Sequence, residues 1–378
     1  MTVNKPVRVL QINSGSKNFG GVSSFLYNVY THIDRTKIQF DFLSPCITTY
    51  ELHRQEIEQL GGKIYELGIK GNVLTKKTML YSRLLQFLSL HQYEIIHINS
   101  GNFFFNFAAA KAARKAGIKN IYIHSHSIEN TYSSRNKKTL IRLLKPELAK
   151  YGTRLLACSK EAAEFMFGKE NFQKVTIIRN GVDIKKFKFD EAVREMIRKE
   201  LKLNNKHVIG NVGRFSLPKN HEYLIDVFRE LSVNDNNAFL LLVGDGEEKT
   251  NIENKINELN LLDKVIMLRT QKNIEKYYQA MDVFLFPSKW EGLGMVLVEA
   301  QISGLPCISS TNVPEEAAIC DDVKFLDTNE ADIREWVESI ITDYSKDRKS
   351  RIEEAYNCGY AIETVAYNLM NLYLRDVC

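Results

Sequence analysis

The chain lacks several features that define whole classes of protein. Its 378 residues include only 7 prolines and 20 glycines, which excludes collagen-like and low-complexity chains. Its longest apolar stretches, such as 103–110, fall far short of the ~20 residues that a membrane-spanning helix needs. No basic, apolar and small-residue segments follow one another near residue 1, so we expect no signal peptide. A hydrophobic content of 44% at this length predicts two globular domains.

Cysteine pairs and metal-binding motifs are also missing. The six cysteines are scattered without the CxxC spacing of a zinc site. We therefore expect reduced thiols in a cytoplasmic protein, with neither disulfides nor a zinc cage. The chain contains no Asp-x-Asp triplet, and no cluster of His, Asp and Glu has the spacing of metal ligands. The sequence thus predicts no bound metal.

Charge is distributed unevenly along the chain. Residues 1–190 contain 29 lysines and arginines against 14 aspartates and glutamates, whereas residues 191–378 contain 22 against 32. The first half therefore has a net charge of +15 and the second half −10. A basic half indicates an anionic partner, such as nucleic acid, a phosphorylated ligand or a membrane surface. The alternative is that the halves differ only in solvated surface residues.

Short β-branched runs alternate with segments of helical periodicity along the whole chain. The predicted strands are 7–12, 38–43, 63–66, 94–99, 121–124, 154–158 and 175–179, then 207–212, 239–243, 265–268, 283–286 and 306–309. Apolar strands alternating with helices are typical of parallel sheets covered on both faces. Two such series predict an α/β fold with two doubly wound, Rossmann-like domains that face each other across a cleft.

The domain boundary is expected at the turn segment Asn180-Gly181-Val182-Asp183. The predicted domains are residues 1–182 and 183–360, and a last helix in 361–378 is expected to pack back toward the first domain. Ligands of open α/β sheets bind beyond the carboxyl ends of the strands, and clefts between domains are favoured sites. We therefore expect a ligand between the two domains.

A glycine-rich segment with two carboxylates follows the fourth predicted strand of the second half. Glu291 and Glu299 are eight positions apart, and Gly292 and Gly294 follow the first of them. Free amides of a glycine loop that opens a helix form a pocket suited to phosphate. We expect Glu291 at the mouth of the cleft and Glu299 within the helix, each binding hydroxyls of a different sugar. A capping carboxylate and one exposed Glu would be the simpler interpretation.

Two cations lie on the loop after the first strand of the second half. Arg214 and Lys219 follow Gly213 there. Arginine holds a phosphate bidentately, and lysine adds a compact positive charge. A doubly wound fold places phosphate binders on this loop. In an acidic half the two cations predict a diphosphate site, although such a pair also occurs on ordinary surfaces.

The first half offers weaker candidates. Gly20 and Gly21 start a predicted helix and suit close backbone approach to a phosphate or sugar, although paired glycines are also common in turns. Two histidines, His124 and His126, end a predicted strand and lie on the same side of it, so we expect them to face the cleft. His97 and Asn99 close the preceding strand and are candidates for binding an acceptor. A purely structural role is equally compatible with His97.

A basic stretch interleaved with leucine lies in the first half. It comprises Arg135, Lys137, Lys138, Arg142 and Lys145, together with Leu140, Ile141, Leu143 and Leu144. This pattern is typical of an amphipathic helix at a membrane surface, and equally of a buried helix with a solvated basic edge. We expect no nucleic-acid binding, because no aromatic platform or binding module accompanies the charge.

Together these motifs resemble family 4 of the retaining, nucleotide-sugar-dependent glycosyltransferases, which have the GT-B fold. The resemblance is carried by Gly213-Arg214 with Lys219, Val243-Gly244-Asp245-Gly246, Pro287-Ser288, Glu291 with Glu299, Gly304-Leu305-Pro306-Cys307-Ile308, Pro314-Glu315-Glu316 and Asn180-Gly181-Val182-Asp183. It runs over nearly the whole chain and is strongest from about residue 205 to 317. The first half is most similar to the branch that builds bacterial capsules and exopolysaccharides.

The resemblance implies a role for each matching residue. Residues 1–182 would bind the acceptor and residues 183–360 the nucleotide sugar. The donor site would comprise Gly20, Gly21, Arg214, Lys219, Arg269, Thr270, Glu291, Gly292, Leu293, Gly294, Met295, Val296 and Glu299. Of these, Arg214 and Lys219 would hold the diphosphate, Glu299 the ribose and Glu291 the transferred sugar. The resemblance also implies a histidine that contacts a sugar at the end of the predicted strand 121–124, and we favour His126 over His124 for that role. The family usually has glycine at the position of Arg269, so this chain departs from the pattern beside the nucleobase.

The sequence thus predicts a retaining glycosyltransferase of the hexosyltransferase class. The expected donor is a nucleoside-diphosphate sugar, with UDP as the nucleotide, and the expected acceptor is a lipid-linked saccharide in capsule or exopolysaccharide biosynthesis. Arg214, Lys219, Glu291 and His126 would carry catalysis without a metal or a cofactor. We expect a cytoplasmic protein with peripheral contact to the membrane. A nucleotide-sugar 2-epimerase of the same fold and a non-catalytic nucleotide- or lipid-binding scaffold are the alternatives.

Overall fold

The structure, a computed structural model, describes residues 5–15, 20–45, 49–69, 73–127, 134–344 and 347–377. The chain divides into two compact units, Met1–Val182 with Gly359–Cys378 (unit 1) and Asp183–Cys358 (unit 2). Cys158, Cys307, Cys320 and Cys358 are free thiols, and the other two cysteines lie outside the described residues. Each unit is built on one parallel sheet.

Unit 1 alternates strands and helices from its first described residues. Its elements are β1 (Val7–Asn13), α1 (Gly21–His32), β2 (Ile38–Ser44), α2 (Arg54–Gln59), β3 (Lys63–Glu66), α3 (Val73–Leu90), β4 (Ile95–Ser100), α4 (Phe103–Lys115), β5 (Asn120–Ser125), α5 (Arg135–Tyr151), β6 (Arg154–Ala157), α6 (Lys160–Phe167) and β7 (Val175–Ile177). The strand order is β3-β2-β1-β4-β5-β6-β7. The order reverses direction between β1 and β4, which makes that point the expected ligand edge of the sheet.

Both faces of the unit 1 sheet are buried in apolar side chains. Val9 packs into the cluster on one face, whereas its neighbours in β1, Leu10 and Ile12, pack into the cluster on the other. This alternation follows from the period of two in a strand. The helices α4, α5 and α6 start at polar caps; for example, the Ser159 hydroxyl accepts from the Ala162 amide and starts α6. Apolar strands buried on both faces are what the sequence pattern predicts for a parallel sheet.

Unit 2 repeats the architecture with a shorter sheet. Its elements are α7 (Ile184–Phe187), α8 (Glu191–Glu200), β8 (His207–Val212), α9 (His221–Asn234), β9 (Ala238–Val243), α10 (Lys249–Glu258), β10 (Val265–Leu268), α11 (Glu275–Ala280), β11 (Val283–Phe286), α12 (Met295–Ile302), β12 (Cys307–Ser310), β13 (Val323–Leu326), α13 (Ile333–Asp343) and α14 (Ile352–Asn357). The strand order is β10-β9-β8-β11-β12-β13. Here the order reverses between β8 and β11, so the loops after these two strands meet at the expected ligand edge.

The last helix, α15 (Ile362–Val377), belongs to unit 1. It packs Tyr373 and Leu369 into the same apolar cluster as Val9 and Phe40. The segment that precedes α15 pairs with the segment that ends at Val182, since the Val182 amide donates to the Tyr360 carbonyl over 2.8 Å. A side chain on Gly181 would come within 2.9 Å of the Ile362 backbone. Glycine therefore permits the close approach of these two segments.

The predicted fold class, α/β with two Rossmann-like domains, is confirmed by the two parallel sheets. The sixth strand of unit 2, β13, was not predicted. It has only four residues, and all four are half-buried. Such a short edge strand has too little alternation for its sequence to distinguish it from a loop.

Candidate active site

The loops after β8 and β11 lie together at the ligand edge of unit 2. The Lys289 amide donates to the Pro218 carbonyl over 2.7 Å, and the Asn220 side chain donates to the Pro287 carbonyl over 3.1 Å. Asn220 adopts a left-handed backbone conformation with φ 55°, which asparagine tolerates better than most residues. These contacts fix the two loops against each other.

Lys219 and Glu291, one from each loop, form an ion pair at this edge. Lys219 Nζ lies 2.6 Å from Glu291 Oε1, and the side chains are only 17% and 12% exposed. The ammonium also lies 4.8 Å from the centre of the Phe286 ring, in cation–π geometry. Partial burial strengthens such a pair relative to one on the open surface. A fixed positive charge therefore stands beside a carboxylate where a doubly wound sheet binds its ligand.

The helix α12 begins directly beside this pair. Its N-cap, Gly294, has φ 88° and ψ 52°, and a side chain there would come within 2.9 Å of Phe286 Cε1. Both the left-handed backbone and the close ring require glycine. The first amides of a helix have no acceptor within it, and the helix dipole places partial positive charge there. The start of α12 thus adds positive potential near Lys219.

Glu299 lies in α12 and is half-buried. Burial raises the pKa of its carboxyl to about 7, while hydrogen bonding from Tyr278 and the positive charge of Lys219 act in the opposite direction. The Tyr278 hydroxyl donates to Glu299 Oε2 over 2.7 Å. Because Lys219 acts on both carboxylates, the structure brings Lys219, Glu291 and Glu299 into one electrostatic cluster.

Arg214 is not part of that cluster in this structure. Its guanidinium lies 3.0 Å from Glu247, and both side chains are more than half exposed. Two glycines lie against the loop that carries Arg214. A side chain at Gly244 would collide with the Gly213 carbonyl, and one at Gly246 would collide with the Phe215 carbonyl. An exposed ion pair of this kind contributes little stability. Arg214 can therefore exchange Glu247 for another anion at small cost.

Arg269 and Thr270 lie farther along the same edge, directly after β10. Their side chains are exposed. The next residue, Gln271, accepts a hydrogen bond from the Tyr277 hydroxyl over 3.1 Å. β10 is the outer strand, two positions from β8. The structure thus places this segment on the ligand edge but outside the Lys219 cluster.

Glycine at the start of α1 is not explained by the fold of unit 1. Gly20 has an extended backbone with φ −126° and ψ 179°, which any residue adopts. A side chain on Gly21 would meet nothing within 4 Å. Both residues are exposed at the edge beyond β1. Backbone strain therefore does not require glycine at Gly20, and packing does not require it at Gly21.

Three of the four polar candidates in unit 1 are fully buried. His97, Asn99 and His124 are each 0% exposed. Burial lowers the pKa of His97 and of His124 well below the usual range, and the charge of His126 acts in the same direction. A side chain without exposed surface does not reach a bound saccharide, so direct acceptor contact is not supported for these three. They support their neighbour instead.

His126 is the half-buried member of the group. Its backbone amide donates to the Ser100 carbonyl over 3.4 Å, which ties it to the end of β4. Its ring lies 4.0 Å from the His124 ring and 5.2 Å from the Phe25 ring, measured between centroids. Burial lowers its pKa to about 4, although the hydrogen bond with Asn180 acts in the opposite direction. The ring is therefore neutral at pH 7.

Comparison with known proteins identifies the class of enzyme. The family model "Glycosyl transferases group 1" matches residues 193–358, and "Glycosyltransferase Family 4" matches residues 19–186. The putative glycosyltransferase EpsF of Bacillus subtilis is 32% identical over 381 residues, which cover 97% of this chain and 96% of EpsF. The chain belongs to the GT-B glycosyltransferases.

Two further similarities concern a relative and a solved structure. This glycosyltransferase is 31% identical over 236 residues, 60% of each chain, to an Escherichia coli enzyme named UDP-Gal:alpha-D-GlcNAc-diphosphoundecaprenol alpha-1,3-galactosyltransferase. Anabaena HepE, crystallised with UDP-glucose, superposes with a TM-score of 0.72 at 18% identity, covering 98% of both chains. At that identity the superposition shows the shared fold of two Rossmann-like domains.

Sequence reasoning missed several residues around the candidate site. Tyr278 is buried and holds Glu299, yet a single tyrosine in a helical segment carries no signal of that role. His221 is 3% exposed, and burial together with the charge of Lys219 lowers its pKa to about 3. Its position two residues after Lys219 was the available signal. Phe286 ends a predicted strand, and only the fold shows that its ring faces Lys219.

Across the parts of the chain that the structure describes, no group of three His, Cys, Asp or Glu side chains is arranged to hold a metal ion. Within those parts, no helix combines the length and the apolar character needed to cross a bilayer.

Proposed function

We propose that this glycosyltransferase moves a hexose-type sugar from UDP to a hydroxyl of a lipid-linked saccharide, with retention at the anomeric carbon. The observation that carries the proposal is the cluster of Lys219, Glu291 and Glu299 at the ligand edge of unit 2. One cation and two carboxylates suit a ligand that has both a diphosphate and sugar hydroxyls. The E. coli relative is named for a UDP-sugar donor and a diphosphoundecaprenol-linked acceptor, which supports the same classes here.

Each charged residue has a distinct part in the proposal. Lys219 neutralises the diphosphate, and Arg214 joins it by leaving the exposed partner Glu247. Glu299 accepts hydrogen bonds from the ribose, for which its carboxyl must be ionised. Glu291 accepts from hydroxyls of the transferred sugar, and its pair with Lys219 keeps both groups oriented before the ligand arrives.

The backbone completes the phosphate site in this proposal. The amides from Gly292 to Val296 approach the diphosphate at the start of α12, where the helix dipole favours negative charge. Gly20 and Gly21 offer a second amide-rich helix start in unit 1. Open space at Gly21 leaves room for a ligand oxygen against the backbone.

The proposed chemistry begins with cleavage of the bond between the anomeric carbon and the diphosphate oxygen. Negative charge grows on the departing phosphate while the sugar becomes oxocarbenium-like. Lys219, Arg214 and the α12 amides stabilise that charge more in the transition state than in the ground state, which lowers the barrier. The acceptor oxygen bonds to the anomeric carbon on the face that the phosphate leaves, and the departing phosphate oxygen takes the proton of that hydroxyl. That step gives retention without a protein base, and fixed cations take the place of a divalent metal.

We also propose peripheral contact with an anionic membrane surface through α5. Leu140 and Leu143 are 47% and 72% exposed on this helix, although leucines normally turn inward. Arg135, Lys137 and Arg142 are exposed on the same helix. Exposed leucines flanked by cations are the pattern of an interfacial helix. The enzyme would thereby meet a lipid-linked acceptor at the inner face of the cell membrane.

Three measurements test the proposed function. A thermal-shift panel of UDP, GDP, dTDP and their sugars should show the largest stabilisation with the UDP series, because a ligand of the folded state raises its stability. Product NMR should show the donor's anomeric configuration retained, and turnover should persist in EDTA. Inversion, or complete dependence on added manganese, contradicts the proposal.

Incubation with donor alone separates the alternatives. A 2-epimerase would release an epimer or free nucleotide, whereas the proposed transferase needs an acceptor. A scaffold would bind the nucleotide without turnover in any mixture of donor and lipid-linked acceptor.

A further inference from the structure

Unit 1 buries a row of polar side chains on one face of its sheet. Gln11 lies in β1, His97 and Asn99 lie in β4, and His124 lies in β5, all of them without exposed surface. Burying such groups costs free energy unless they are hydrogen-bonded. Gln11, Asn99 and His97 belong to one chain of hydrogen bonds that runs from α15 to His126. A connected chain of this kind restricts the orientation of every member.

The backbone decides the orientation of Asn99. Its side-chain nitrogen lies 3.0 Å from the carbonyl oxygen of His97 and 3.0 Å from Gln11 Oε1. A backbone carbonyl only accepts, so the atom beside it must be the amide nitrogen. Asn99 Oδ1 therefore faces His126 Nε2, at 3.2 Å. Because that oxygen also only accepts, His126 must carry its proton on Nε2.

The same reasoning continues from Asn99 to α15. Gln11 Oε1 accepts from Asn99, so Gln11 Nε2 donates to the Tyr373 hydroxyl over 3.2 Å. The same hydroxyl lies 2.6 Å from His97 Nδ1. A flipped Gln11 amide would set two donors, its own nitrogen and that of Asn99, against each other. Asn99 thus fixes the orientation of the Gln11 amide.

His126 Nδ1 lies 3.1 Å from Asn180 Oδ1. With the proton on Nε2, Nδ1 carries a lone pair, so we infer that the Asn180 amide is rotated by 180° from this orientation, which keeps the heavy-atom positions and brings its nitrogen to Nδ1. Asn99 is fully buried and held by three hydrogen bonds, whereas Asn180 is half-buried. Asn180 is therefore the partner that a ligand hydroxyl can replace.

We propose that Asn99 is a positioning residue that holds His126 as the neutral Nε2–H tautomer, so that His126 accepts a hydrogen bond at Nδ1 from a hydroxyl of the bound sugar. The identity of that ligand rests on the proposed function, whereas the tautomer does not. A neutral acceptor leaves the oxocarbenium-like sugar free of a nearby positive charge. The two other histidines in contact with the group, His97 and His124, are buried and kept neutral as well.

Nitrogen-15 NMR of the full chain labelled at histidine tests the proposal directly, with signals assigned by His126→Gln. Wild-type His126 should show the Nε2–H tautomer and no titration between about pH 5 and 8. Asn99→Asp should raise its pKa by about 1–3 units, because a carboxylate beside the ring favours the charged form. Tyr373→Phe should leave the tautomer unchanged, because the His97 carbonyl still fixes Asn99.

Asn171→Leu is the matched control. Asn171 is also buried in unit 1, but its amide donates to the Phe167 carbonyl over 3.0 Å and lies outside the chain to His126. Its replacement should leave the His126 signals unchanged. An Nδ1–H tautomer in the wild-type protein overturns the proposal, as does an Asn99→Asp spectrum identical to it.

The wild-type spectrum decides the tautomer even if Asn99→Asp does not fold, and Tyr373→Phe removes only one oxygen. Addition of the UDP-sugar should then shift the Nδ1 resonance without changing the tautomer. If no nucleotide sugar binds in the thermal-shift panel, the proposed function fails. The tautomer of His126 is decided separately, by the wild-type nitrogen-15 spectrum.

Discussion

Tyr278 donates its hydroxyl hydrogen to Glu299 Oε2 over 2.7 Å, and this contact opposes the effect of burial on the carboxyl. Burial alone would favour the protonated acid, and the pKa stands at about 7. A group with this pKa changes its charge within the physiological range. The proposed ribose contact needs the ionised form, because a carboxylate accepts from two hydroxyls and a protonated acid loses part of that capacity.

The affinity for UDP should therefore fall as the pH drops through about 7. Tyr278→Phe removes a contact that lowers the pKa, so the midpoint should move to higher pH. Glu299→Gln should bind more weakly at pH 8 and lose this component of the pH dependence. Isothermal titration calorimetry of the wild type, Tyr278→Phe and Glu299→Gln at a series of pH values measures the affinity for UDP. The phosphate of UDP also titrates, near pH 6. Because Glu299→Gln lacks the carboxyl but binds the same phosphate, subtracting its pH dependence removes the contribution of the phosphate. Parallel curves for wild type and Glu299→Gln would contradict the ribose assignment.

Removal of the Lys219 charge should reduce transfer far more than stability. We expect Lys219→Ala to lose about 10²–10³-fold in kcat, the usual cost of one charge-stabilising donor. Lys255→Ala is the matched control, because Lys255 also lies 2.6 Å from a carboxylate, that of Asp226, but on α10. Initial rates with saturating donor and the melting temperature of each variant are the measurements. Near-normal turnover in Lys219→Ala would overturn the diphosphate assignment.

The buried histidines should make unit 1 sensitive to acid. Burial lowers the pKa of His126 to about 4 and that of His124 well below the ordinary value of 6.5. Protons therefore bind the unfolded chain first, so the stabilisation is complete above pH 6.5 and is lost as the pH falls toward 4. The slope is at most about 1.4 kcal/mol per pH unit for each group.

Hydrogen exchange of the β4 and β5 peptides, corrected for the intrinsic rate, measures this loss. His124→Phe should reduce the slope, whereas His91→Phe, at a half-buried position directly after α3 and outside the polar row, should not. Equal protection of these strands at pH 7 and pH 5 in the wild-type protein would show that the histidines are not kept neutral by burial.

Local patterns were enough to locate most of the sheet and part of the candidate site. The predicted strand 207–212 is β8 (His207–Val212), because a continuous apolar run bounded by polar residues is a local signal. Lys219 and Glu291 were singled out by their loops, and the structure brings them within 2.6 Å. Their proximity follows from the strand order, which places the loops after β8 and β11 side by side.

Contacts between distant parts of the chain could not be predicted in this way. His97 meets Tyr373, 276 residues away, and Glu299 meets Tyr278 from another helix. Neither tyrosine differs from an ordinary core residue in its sequence surroundings. The sequence accordingly suggested an acceptor role for His97 and Asn99, whereas the structure buries both. Burial depends on which helices cover the sheet, and no local pattern records that.

Gly294 should be the least replaceable glycine of the candidate site. Its φ of 88° is unfavourable for any other residue by about 1–2 kcal/mol, and a methyl group would also press on Phe286 at 2.9 Å. Gly117 separates the two effects, since its φ is 81° but a side chain there meets nothing within 4 Å. Urea unfolding followed by circular dichroism should show a larger loss of stability for Gly294→Ala than for Gly117→Ala. Transfer activity should fall only in Gly294→Ala, because movement of Phe286 displaces the ring beside Lys219. Equal losses of stability and full activity in both variants would show that the loop adapts and that Phe286 does not hold Lys219 in place.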